Sequence, residues 1–228
     1  MPRKRRVVAP AAPHHIVARG NNRQDIFFEG RDREVYLRLL EKHAKRRGLH
    51  IWGYCLMTNH VHVVGVPDKE STLPEVLGGA HSEYTRFINT VYGRCGHLWQ
   101  ARYYSCPMDK WHALQALAYV ECNPVRARMV DEAWRYSWSS AAAHCSGRMG
   151  AIELSDLEWF SEYSPARWRS VLTSGVAAEA FAARLREATR IGFALGSPPF
   201  LETLRAQVGR DVERRRAGRP KKAMIVAA

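Results

Sequence analysis

The sequence predicts an α+β domain, an antiparallel sheet with helices on one face, followed by a smaller helical extension. Three observations lead there. Runs with two-residue alternation and runs with apolar residues every three or four positions succeed one another over roughly the first 130 residues. Their order is strand, helix, strand, strand, helix, strand, helix. Beyond about residue 145 the pattern changes to short helical runs and then a basic tail.

The first strand is "HHIVAR" (14–19), closed by the turn-forming "GNN" at 20–22. In "GRDREVYLRLLEKHAKRRGLH" (30–50), Val35, Leu39, Leu40 and His43 recur at helical spacing and Gly48 is a natural stop. "IWGYCLM" (51–57) and "HVHVVGVP" (60–67) read as strands joined by a two-residue "TN" connection, a hairpin. Thr72 to Tyr92 is helical, with Leu73, Val76, Leu77, Tyr84, Phe87 and Val91 on its apolar side. "GHLWQARYYSCP" (96–107) reads as another strand, and "DKWHALQALAYVECNPVRARMV" (109–130) as a helix capped by Asp109 and broken at Pro124. This is the ferredoxin-like, or RRM-like, order. Two short helices are expected at 176–190 and 198–208, the second started by Ser197–Pro198 and stopped by Gly209.

Composition narrows the function. Hydrophobic residues make up 46% and charged residues 25%, as in a soluble globular protein. No run approaches the 18 apolar residues of a membrane span, and "MPRKRRVVAPAAPHH" lacks the apolar core of a signal peptide, so no membrane partner is expected. The 5 cysteines form no CxxC pair, which fits reduced thiols in the cytoplasm. A net charge of +13, enriched in "RKRR" (3–6) and "RRRAGRPKK" (214–222), points to a polyanion, nucleic acid first.

Within the hairpin, His60 and His62 stand two residues apart. On a strand they share a face about 6–7 Å apart, so two imidazoles can converge on one ion, while Val61 and Val63 turn to the core. Two histidines on a solvated sheet face need no metal, and the pair alone decides nothing. Tyr119 and Asn123, four apart on the last core helix, also share a face. Ala116 and His112 lie on it too, the small Ala116 leaving room for a substrate backbone, while Leu114, Leu117 and Val120 turn inward. From the residues alone, a half-buried helix tyrosine and a C-terminal capping asparagine are the favoured readings of Tyr119 and Asn123.

"NHVHVV" together with "YVECNPVRA" resembles the HUH single-tyrosine transposases, especially their REP-associated branch. The resemblance extends through "PHHIVARGNNRQDIFF", "YGRCGHLWQARYYSCP", "YSWSSAAAH" and "REATRIGFALGSPPFLETL", in order along the chain. It implies that His60, His62 and Asn123 are metal ligands, Asn123 standing where insertion-sequence members of the wider family commonly have Gln. It implies that Tyr119 is the nucleophile. Mg²⁺ or Mn²⁺ is the implied cofactor, the histidines suiting Mn²⁺ better. The implied reaction is nicking and strand transfer on single-stranded or hairpin DNA through a 5′-phosphotyrosine, in a cytoplasmic, nucleoid-associated protein. Candidate DNA contacts are Arg102, Tyr103 and Arg126, plus Arg219 and Lys221 in the AT-hook-like "AGRPKK"; Trp99 and Tyr104 are further aromatic residues for base stacking.

The expected division is a basic arm (1–12), a catalytic domain (13–145), a helical extension (146–209) offering a DNA-binding surface, and a basic tail (210–228). Relatives from insertion sequences act as dimers, so a homodimer is one open arrangement and a monomer the other. Competing readings are a DNA-binding regulator on the same fold, an RRM-like RNA-binding module, and a metallohydrolase using water, which would not need Tyr119.

Overall fold

The computed structural model describes residues 6–155, 163–174, 179–209 and 211–213. Four strands, β1 (His14–Arg19), β2 (Leu49–Met57), β3 (His60–Pro67) and β4 (Tyr104–Pro107), form one antiparallel sheet in the order β2-β3-β1-β4. That is the ferredoxin-like arrangement expected from the order of elements.

Helices α1 (Gly30–Arg47) and α2 (Thr72–Val91) cover one face of the sheet. Val61, Val63, Ile16 and Ala18 meet Leu37, Leu40, Leu77 and Ile88 there in a dry core. Asp32 organises the start of α1, its Oδ2 accepting the backbone N–H of Phe28 (2.8 Å) and Glu29 (2.9 Å). Gly48 ends the helix at φ 73°, where a Cβ would also lie 2.1 Å from the Asp68 carboxylate.

The other face is covered as well. Helix α3 (Lys110–Glu121), running into the short α4 (Asn123–Arg126), lies over β2 and β3, and α7 (Glu179–Ile191) lies over β4 and β1. Ala113, Ala116, Leu117 and Val120 pack there on Cys55, Met57 and Val64, with Phe181 and Leu185 alongside. Thus Ala116, expected to leave space for a substrate, is fully buried: α7 occupies the space over that face of α3.

Between α4 and α7 come α5 (Ala141–Ser146) and α6 (Pro165–Thr173), and α8 (Pro198–Val208) follows α7. Helix α6 was not expected from the sequence. It is held by one buried carboxyl: Glu121 of α3 accepts from Ser140 Oγ (2.5 Å), His144 Nδ1 (2.6 Å) and Trp168 Nε1 (2.8 Å). Helix α8 starts at Ser197 and Pro198 and stops at Gly209, as its end signals require. Val7 and Ala9 pack against Leu201 and Leu204 of α8.

One strand differs from expectation. Of residues 96–107 only Tyr104–Pro107 join the sheet. The preceding stretch is pinned as a loop to the end of β1, Asn21 N–H donating to Leu98 O (2.8 Å) and Gln100 N–H to Arg19 O (2.8 Å). Trp99 is drawn onto His81 of α2, ring centroids 3.9 Å apart, which a continuous strand would not permit.

Candidate active site

Alternation along β3 places His60 and His62 on the face beneath α3 and α7. Register adds neighbours from β1 on the same face. Arg19 lies opposite His60, Val17 opposite His62, and His15 opposite Val64. The rings of His60 and His62 are 4.9 Å apart between centroids.

Each histidine has its Nδ1 engaged. His60 Nδ1–H donates to Asn59 Oδ1 (2.6 Å), and the Asn59 amide is fixed in turn by its Nδ2 donating to Arg23 O (3.1 Å). His62 Nδ1 is hydrogen-bonded to His15 Nε2 (2.9 Å), and His15 Nδ1 to Thr189 Oγ1 of α7 (2.8 Å). Among the described residues, neither His60 Nε2 nor His62 Nε2 has a hydrogen-bond partner. Burial, first of all, holds these imidazoles neutral: His15 is lowered to about 3, His60 to about 4 with help from Arg19, and His62 well below its usual value.

Tyr119 projects from α3 over this group. Its ring centroid is 6.0 Å from that of His62 and 6.1 Å from that of His15, edge-on to both. The side chain is buried, at 4% exposure. Arg186 of α7 interacts electrostatically with its hydroxyl, and the Arg126 guanidinium lies 5.6 Å from the ring centroid. Glu179 joins the two arginines, accepting from Arg126 (2.6 Å) and Arg186 (2.5 Å). Those hydrogen bonds hold the Glu179 carboxyl far down, at about 2.

Asn123 begins α4, and the helical backbone at Cys122 keeps it in phase with Tyr119, one turn on. Its amide nitrogen is buried without a hydrogen-bond partner among the described residues. It is therefore not serving as a helix cap. No cluster of three or more His, Cys, Asp or Glu suited to a metal occurs among the described residues. Two neutral imidazoles with free Nε2 atoms fit a divalent cation of borderline softness, and an amide oxygen on Asn123 is a chemically suitable neutral third ligand.

A family model described as transposase IS200-like matches residues 10–123. The chain belongs to the IS200-like transposase family. The match spans β1 to the start of α4, and so contains His60, His62, Tyr119 and Asn123. A solved structure of a REP-associated tyrosine transposase bound to a REP hairpin superposes with a TM-score of 0.51 at 15% identity, covering 69% of this chain and 96% of its own. At that identity the likeness bears on the fold. A second structure, from Deinococcus radiodurans and assigned provisionally as a transposase, reaches a TM-score of 0.37 at 16% identity over 53% of this chain and 96% of its own, and carries no weight. No curated protein sequence matches. Among the described residues, no helix of this IS200-like transposase is long and apolar enough to cross a membrane.

The other candidate contacts divide. Arg126 stands beside Tyr119. Arg102 is exposed on the loop before β4. Tyr103 packs into the core under α1 and α2, with Arg6 4.0 Å above its ring. Alternation turns Tyr104 instead to the His62 side, opposite Val17. Arg219 and Lys221 lie outside the described residues. Sequence reasoning missed Asn59, His15, Thr189 and Arg186. Asn59 and His15 stand inside the "NHVHVV" and "PHHIVARG" motifs, and that was their only available signal.

Proposed function

We propose that this transposase nicks and rejoins single-stranded DNA through a covalent 5′-phosphotyrosine on Tyr119, with His60, His62 and Asn123 holding a divalent cation. One observation carries the reading: the Tyr119 ring stands 6.0 Å from His62 within a single chain, over imidazoles whose Nε2 atoms are free. When bound, Mg²⁺ or Mn²⁺ would polarise a phosphate oxygen and orient the scissile bond. Every other role falls to side chains of this protein.

Tyr119 Oη attacks phosphorus and the P–O3′ bond breaks. The phenolic proton is lost and the departing 3′ oxygen gains one, so no other reactant is consumed. Arg186 of α7 interacts electrostatically with Tyr119 and so places a cation beside the reacting oxygen. Arg126 and Arg19 border the same space and suit the flanking phosphates. Because the aryl ester retains the energy of the broken linkage, a second 3′-hydroxyl can displace Tyr119 and rejoin strands. The structural relative solved with a REP hairpin favours hairpin-forming palindromes as substrate and the REP-associated branch as this chain's place in its family.

A single-stranded hairpin oligonucleotide with Mn²⁺ or Mg²⁺ is expected to give a protein–DNA adduct that survives denaturation, lost in Tyr119→Phe with binding retained. Cleavage persisting in that variant would make water the nucleophile, and an adduct on another tyrosine would refute the assignment. DNA binding with neither cleavage nor adduct under any divalent ion would favour a regulator on the same fold.

A further inference from the structure

We infer that His15 and Thr189 hold His62 in the tautomer protonated at Nδ1, leaving its Nε2 lone pair for the cation; His15 is a positioning residue, and α7 is part of the site. The inference rests on the metal reading above and concerns residues that reading does not use. Thr189 Oγ1, His15 Nδ1, His15 Nε2 and His62 Nδ1 form an unbroken chain of hydrogen bonds of 2.8 and 2.9 Å. The two rings are within 14° of parallel, with centroids 5.2 Å apart, as an in-plane ring-to-ring hydrogen bond requires. All three residues are buried, so water does not substitute for a lost partner.

Two neutral imidazoles in series can be protonated in only two ordered ways. In one, His15 donates to His62 Nδ1, which puts the His62 proton on Nε2 and blocks ligation. In the other, His62 Nδ1–H donates to His15 Nε2, and His15 Nδ1–H needs an acceptor at its far end. The Thr189 hydroxyl can accept there. It could also donate to His15 Nδ1 in the first order, but that order leaves the His62 Nε2–H with no acceptor among the described residues, and this favours the second. His60 reaches the same state by a local route, its Nδ1–H donating to an Asn59 oxygen that cannot donate back. Both histidines thus carry an outer partner that leaves Nε2 open, the arrangement that orients metal-bound imidazoles generally. For His62 that partner chain begins 174 residues from His15, on α7.

The test uses the full chain with ¹⁵N-labelled histidine, His62 being assigned against His62→Gln. In metal-free protein His62 is expected as the Nδ1–H tautomer. Thr189→Val keeps the shape but removes the acceptor, and should mix the tautomers and weaken Mn²⁺ binding, read by electron paramagnetic resonance, about 10- to 100-fold. Thr189→Ser should restore both, and His15→Phe should behave as the valine variant, with circular dichroism confirming that each is folded. Wild-type His62 protonated at Nε2, or a valine variant with unchanged tautomer and Mn²⁺ affinity, overturns the relay. A wild type with the expected tautomer and no Mn²⁺ binding overturns the metal reading, and with it the relay's role toward a cation; Mn²⁺ bound with His62 unlocked overturns the relay alone.

Discussion

The indole N–H of Trp168 donates to Glu121 Oε2 across 2.8 Å, tying α6 to the helix that carries Tyr119, two residues before Glu121. Ser140 and His144 donate to the same carboxyl, whose side chain is wholly buried. Three donors from two later segments thus share one acceptor. Glu121→Ala would remove that shared buried acceptor, at a cost of about 1–3 kcal/mol. Urea unfolding of the variant should show that loss. A midpoint within error of wild type would mean that the three donors find other partners.

Glu179 neutralises Arg126 and Arg186 beside Tyr119. Glu179→Gln should release both guanidiniums toward DNA phosphate. Tighter binding of a single-stranded oligonucleotide and a salt dependence steeper by about one charge are expected. Fluorescence anisotropy over a salt series measures both. Unchanged affinity and slope would place the arginines out of DNA's reach.

Asn123 is the reverse of a stabilising residue, because its buried amide nitrogen has no protein partner. Asn123→Ala should leave thermal stability equal or higher, while weakening Mn²⁺ binding. Paired melting and Mn²⁺ titration experiments separate the two effects. A marked loss of stability in metal-free protein would show that the amide is satisfied within the fold.

Acid should destabilise the fold earlier than carboxylate titration would. Burial lowers His14 to about 4 and His81 to about 3, the latter hydrogen-bonded to Tyr36 Oη at 3.1 Å. In the unfolded chain both titrate near 6.5. Between 6.5 and these lowered values the unfolded state binds more protons, so stability is full above about pH 6.5 and falls as pH drops toward 4. Each such histidine contributes on the order of 1 kcal/mol per pH unit in that window. Denaturant midpoints at pH 7 and pH 5 check the fall, and His81→Gln should reduce it. A flat profile down to pH 5 would contradict neutral burial.

Much of the frame was readable in order along the chain. The bounds of β1 and β3 follow from alternation, and those of α8 from Ser197, Pro198 and Gly209, because each signal acts within a few residues. The 96–107 segment misled for the opposite reason: Trp99 and Tyr103 have strand-like character but are placed by α2 and Arg6, far away in sequence. Tyr103 and Tyr104 are adjacent and chemically alike, and only the point where β4 begins decides which one faces the site.

Period along the chain pairs residues locally: His60 with His62 every second residue on a strand, Tyr119 with Asn123 every fourth on a helix. Which elements then face one another is not a local property. Long-range packing set Tyr119 over His62, brought Arg186 into electrostatic reach of Tyr119, and joined Thr189 to His15 and His62. Those contacts form because α3 and α7 bury apolar residues against the same sheet face, and that burial brings polar groups distant in the chain within hydrogen-bonding reach.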